Sequence, residues 1–271
     1  MRGARRVRRR HLREPRAPTR DRPAGGRPRD AVPQELPPVK TPATVDPAPP
    51  GDLHPTHVWY TSYGSNTDLA RLACYLRGGR PAGAVREQPG CRDPGMPARS
   101  LPAELPGALY FATESQVWGG GRAFYDPRAS GRVLARAHLV SAAQFSDIAA
   151  QEMYRAPGEP LDLAEVLTRG RATLGQGRYE TLVHAGRVDG LPLLTFTAPW
   201  RMDDVEHTPP SPAYLRCLVS GLLSADAWSP ETITAYVAAC PGAYGHWPAD
   251  AVAGVVRDCR AGGPARTRHA G

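Results

Sequence analysis

The chain has 271 residues, with 34 Lys or Arg against 26 Asp or Glu for a formal charge of +8, and 30 prolines. Residues 1–50 carry that whole excess, holding 12 Arg, Lys40, five acids and 11 of the prolines, and so low an apolar content buries too little surface to offset chain entropy. No apolar run reaches the roughly 18–20 residues of a membrane span, and no signal-peptide core follows the arginines, so neither a membrane protein nor a secreted one is expected and the predicted location is cytoplasmic.

Residues 1–55 are expected to form a disordered Arg/Pro-rich tail, 56–245 the folded domain, and 246–271 a poorly ordered C-terminal extension. The tail is basic through arginine almost alone and has no interleaved aromatics for stacking on bases, so no nucleic-acid partner is expected. The run His57 to Tyr63 reads as a strand that gives way, through Tyr63-Gly64-Ser65-Asn66, to a helix over Thr67–Leu76. A strand turning on a glycine into a helix aims unbonded backbone N–H groups and the positive helix end at one point, which suits a carboxylate or phosphate. Arg71, one turn into that helix, is expected to pair with Asp68 or another acid.

Gly78–Pro106, rich in Gly, Pro and Arg, reads as a long loop. Strands follow at Ala108–Ala112, at Arg122–Tyr125 after the turn Trp118–Gly121, and at Arg132–Val140. Ser141 with Gln144 three residues on forms a capping box that opens a helix. On it Phe145, Ile148, Ala149 and Glu152 share one face, so Glu152 points inward from the last turn. Burial and the negative helix end both disfavour its charged form, predicting a carboxyl tuned for proton transfer; a frayed end in water or a pair with Arg155 would be the bland alternatives. Arg178–Ala185 and Leu191–Thr197 flank Val188-Asp189-Gly190 as a hairpin. Ser211-Pro212 and Ser229-Pro230 each place a cap before proline at the first helical position, predicting helices to about Leu223 and Ala239. Strands and helices mix without regular alternation, which predicts an α+β fold, a small mixed β-barrel flanked by helices.

Five widely spaced cysteines form no C-x-x-C pair and eight histidines form no H-x-H or H-x-x-x-H pair, so no metal, zinc hydrolase or deacetylase chemistry is expected. Tyr63-Gly64-Ser65-Asn66 with Arg71, Gln151-Glu152 at a helix end, and Ser211-Pro212-Ala213-Tyr214 together resemble motifs of the γ-glutamylcyclotransferase-like family, over about Val58 to Gly242. That resemblance implies release of 5-oxoproline from a γ-glutamyl amine or amino acid, with Glu152 as general acid and base. It further implies that Tyr63, Gly64, Ser65, Asn66 and Tyr214 line the substrate pocket, and that no cofactor is needed. Core packing competes for Tyr63 and Tyr214, and helix capping for Asn66. Met153-Tyr154-Arg155 departs from the glycine that often follows the family's glutamate, adding bulk and charge beside the leaving group. The alternative is a non-catalytic protein of the same fold that binds an acidic small molecule.

Overall fold

The computed structural model describes residues 40–46, 52–80 and 87–262. The body of the predicted tail therefore lies outside the described residues. Within its predicted bounds, however, 40–46 is bound to the domain. Ala43 N–H donates to the Pro102 carbonyl at 2.9 Å, and Asp46 exchanges backbone bonds with Arg187. This stretch has edge carbonyls and amides to pair with, which a solvated tail lacks.

The chain begins with β1 (His57–Ser62), a 3₁₀ turn (Ser65–Thr67) and α1 (Leu69–Arg77). It continues through β2 (Arg99–Pro106), β3 (Ala108–Glu114), β4 (Gly121–Asp126), β5 (Arg132–Ser141) and α2 (Ala142–Glu152). Next come α3 (Ala164–Arg169), β6 (Arg171–Thr173), β7 (Thr181–Val188) and β8 (Leu191–Thr197). Three helices end it, α4 (Pro212–Ala225), α5 (Pro230–Ala239) and α6 (Ala249–Ala261). The fold is α+β. Six strands form one sheet in the order β2-β5-β1-β8-β7-β6, with β1 and β8 parallel and the other neighbours antiparallel.

The predicted barrel does not close. β3 and β4 form a separate two-stranded sheet, and the join to β8 is made by a side chain instead of a ladder. Thr197 Oγ1 accepts from Tyr125 N–H at 3.0 Å and donates to the Tyr125 carbonyl at 2.7 Å, so those backbone groups are satisfied where β8 runs out, two residues before Pro199.

Strand alternation divides the core. From β1, Trp59 enters one cluster with Tyr214, Leu215, Leu218 and Val219 of α4, whereas Val58 and Tyr60 face a second with Leu72 and Leu76 of α1 and Phe145 and Ile148 of α2. β1 is the strand on which both layers converge, and its C-terminal end is where the chain turns into the candidate site.

Two expectations fail here. The long loop over Gly78–Pro106 contains β2, paired with β5 from Arg99 through Pro106. Its prolines are tolerated because β2 is an edge strand. The poorly ordered extension over 246–271 contains α6, whose Val252, Val255 and Val256 are buried in the α4 and α5 cluster; burying that apolar face is what holds the helix in place. Among the described residues no helix is long and apolar enough to cross a membrane.

Candidate functional site

The turn after β1 is held from every side. The Tyr63 hydroxyl donates to the Phe196 carbonyl at 2.7 Å and its ring lies in the core. A methyl group on Gly64 would come 2.9 Å from the Tyr214 hydroxyl, so a larger residue there would press on that side chain. Thr67 closes the turn with its N–H and its Oγ1 on the Gly64 carbonyl, at 3.1 and 2.8 Å. Beneath it, fully buried His138 meets the Asn66 carbonyl through Nε2 at 3.1 Å and Ser100 Oγ through Nδ1 at 2.9 Å. A carbonyl only accepts, so Nε2 carries the proton and Nδ1 accepts from the serine hydroxyl.

The helix begins later than predicted. Asp68 caps α1, taking the Ala70 and Arg71 amides on its carboxylate and a hydrogen bond from Ser220 at 2.9 Å. The positive end of α1 is therefore already neutralised by a carboxylate. What remains for an anion is the turn itself, since the Gly64 and Asn66 amides donate to no backbone carbonyl among the described residues, while the Ser65 amide faces the Tyr214 hydroxyl.

Opposite stands Glu152. The capping box at Ser141 and Gln144 forms as expected, and Phe145, Ile148 and Ala149 are fully buried, so the same face delivers the Glu152 carboxyl to a cavity. Asn66 Nδ2 donates to Glu152 Oε1 at 3.2 Å and to the Tyr60 hydroxyl at 3.1 Å. Burial pushes the Glu152 carboxyl above the usual carboxylate range, against the opposing pull of the Tyr75 hydroxyl, the Arg71 charge, the Asn66 amide and the Arg122 charge. Arg155 does not pair with it, being engaged with Glu180.

All six residues singled out in the sequence, Tyr63, Gly64, Ser65, Asn66, Glu152 and Tyr214, line one cavity of about 70 Å³. Their parts differ, however. Tyr63 has its hydroxyl spent on the sheet. Tyr214 packs in the core and its hydroxyl accepts from the Ala123 amide at 3.3 Å. Asn66 has its side chain turned to the carboxyl.

Sequence reasoning undervalued Arg71. It is not bound to the Asp68 carboxylate through its side chain; its guanidinium lies 4.8 Å from the Tyr75 ring centre and 5.6 Å from that of Trp118. It is buried, and its Nε and Nη1 have no partner among the described residues. Spacing could have shown the first half of this, because Arg71 and Tyr75 stand four apart on one helical face. Tyr75, Arg122 and Arg178, from α1, β4 and the approach to β7, also line the cavity and carried no signal in the sequence. Among the described residues no group of three or more His, Cys, Asp or Glu could hold a metal ion.

No family model matches the chain. Histone deacetylase 5 of Arabidopsis thaliana is 29% identical over 206 residues, 69% of this chain but 31% of that protein, so the chain spans about a third of the curated relative it matches. Among solved structures, a γ-glutamyl cyclotransferase is similar at 14% identity and a TM-score of 0.42, covering 74% of this chain and 99% of its own. An uncharacterised Homo sapiens protein is similar at 15% identity and a TM-score of 0.40, over 75% of this chain and 99% of its own. YkqA of Bacillus subtilis follows at 16% identity and a TM-score of 0.37, over 69% of this chain and 56% of its own.

Proposed function

We propose that the chain is a γ-glutamylcyclotransferase-type enzyme that releases 5-oxoproline from a γ-glutamyl amine or amino acid. One observation carries the reading: a half-buried carboxyl of raised pKa, Glu152, touches an amide-lined turn through Asn66 at 3.2 Å, inside one cavity that both groups line. The α-carboxylate of the glutamyl group suits the turn amides and the unpartnered nitrogens of Arg71. Held so, the chain of the substrate folds back on itself and the attack becomes intramolecular, with most of the ordering done by binding.

Glu152 takes a proton from the α-ammonium. The freed amine attacks the γ-carbonyl carbon, the new C–N bond closes a five-membered lactam, and the old amide C–N bond breaks. The proton on Glu152 passes to the departing nitrogen, and the second proton shed by the ring nitrogen also ends on the released amine. A carboxyl pKa raised above its ordinary value favours the return of the proton to the departing nitrogen.

The experiment is to incubate the full chain with a panel of γ-glutamyl amino acids and amines and to follow 5-oxoproline by mass spectrometry. Turnover of at least one, lowered about 10²–10⁴-fold by Glu152→Gln, supports the reading; undiminished turnover in the variant overturns it. A binding protein for acidic small molecules would instead take ligand in both proteins and convert none.

A further inference from the structure

We propose that Arg178, stacked on Tyr154 at the mouth of the cavity, selects leaving groups that carry a carboxylate over neutral or cationic amines. This rests on the cyclotransferase reading and assigns the side of the site that the reading leaves open.

Depth orders the cavity. Arg71 and Arg122 are buried, with nitrogens lacking a partner among the described residues, and they lie with Glu152, Asn66 and Tyr75 at the inner end. A glutamyl group must sit there for Glu152 to reach its α-amine, which directs whatever is joined to the γ-carbonyl toward the exposed end. That end holds Tyr154, 40% exposed, and Arg178, whose guanidinium carbon lies 4.2 Å from the Tyr154 ring centre. A guanidinium held over an aromatic face still has N–H groups to offer a carboxylate.

Charge gives the direction. The cavity is lined by three guanidinium groups, of Arg71, Arg122 and Arg178, and by one carboxyl, that of Glu152. A γ-glutamyl unit brings one carboxylate and one ammonium, which match one guanidinium and Glu152 and leave the positive excess standing. Nothing nearby cancels Arg178: it has no ion-pair partner among the described residues, and Glu180, two positions on, is engaged with Arg155. An anionic leaving group meets that excess favourably, whereas an alkyl diamine meets like charge. The backbone at the mouth is constrained as well. Tyr154 and Tyr179 both hold left-handed conformations, φ 59° and 67°, which non-glycine residues adopt at a cost that surrounding contacts must hold in place; the Tyr179 hydroxyl does so by donating to the Ala123 carbonyl at 2.8 Å.

The test compares γ-glutamyl-alanine, γ-glutamyl-ethylamine and γ-glutamyl-putrescine in the full chain, in Arg178→Gln and in Arg178→Glu, with melting temperatures confirming the folded state of each. Wild-type kcat/KM should favour the alanine substrate over ethylamine by about tenfold or more. Arg178→Gln should bring that ratio toward one through KM, with kcat little changed, because an interaction made equally in ground and transition states moves KM alone. Arg178→Glu should shift preference toward putrescine. A wild-type ratio near one, or a ratio unmoved by Arg178→Glu, overturns the selection and leaves the cyclotransferase reading intact. Absence of 5-oxoproline from all three substrates in the wild-type chain overturns both.

Discussion

Acid should weaken this protein through one buried ring. His138 lies under the Asn66 carbonyl with no exposed surface, and its pKa is pushed down to about 3 by burial first and by the Arg136 charge second. Its folded value lies below the unfolded one of about 6.5, so the stability it confers is complete above that value and is lost as pH falls toward about 3. At about pH 5 the unfolded ring is almost fully protonated and the native ring still neutral. The gap of roughly 1.5 units to the unfolded pKa, at ~1.4 kcal/mol each, then costs about 2 kcal/mol. That figure depends on the unfolded value and hardly on the folded one. Urea unfolding of the full chain and of His138→Gln at about pH 7.5 and about pH 5 measures it. The wild-type chain should lose about 2 kcal/mol more than the variant across the interval, because His184, also lowered by burial, titrates alike in both and cancels. Equal losses would refute the burial argument and with it the account of how the turn is supported.

Glu152→Gln should raise stability near neutral pH, since a carboxyl whose folded pKa exceeds its unfolded one costs stability as pH rises through the folded value; the gain should vanish below the ordinary carboxylate range, as read by melting temperature against pH. Gly64→Ala should cost about 1–3 kcal/mol of stability by overpacking, with Tyr214→Phe in the same chain returning part of it, because the added methyl meets the Tyr214 hydroxyl. Truncation after Trp247 removes the buried face of α6, roughly 1.5–3 kcal/mol for each fully buried valine. That rivals the total stability of a domain, so the shortened chain should precipitate or unfold in circular dichroism, and a soluble, cooperatively melting product would show α6 to be dispensable.

Local chemistry made much of this fold readable. The Ser141 box, the proline-led caps at Ser211 and Ser229, and the hairpin at Asp189-Gly190 are decided by neighbours in sequence, and all form as expected. β2 was hidden because Pro102 and Pro106 read as breakers, and only its edge position makes them tolerable. α6 was hidden because valines spaced among Ala and Arg mean little until α4 and α5 supply the surface they cover. The sheet's failure to close turns on one Thr197 side chain taking both Tyr125 backbone groups, a contact across 72 residues that no local pattern reports. At the site, the inward face of α2 is periodic and so places Glu152; Arg122 and Arg178 come from distant segments and are gathered there only by the finished fold.

Gly221 of α4 packs so closely on the turn that a methyl group there would come 2.2 Å from Thr67 Oγ1. The helix is thus keyed to the loop at a point where neither can yield, and the Cys217 thiol meets the Ser65 carbonyl at 3.5 Å one turn earlier. A loop gripped this way needs no substrate to order it. Change in the lineage of such a molecule has an easier path at the entrance, where Tyr154 and Arg178 rest on each other: exchanging them alters what the cavity mouth presents while the turn beneath stays as it was.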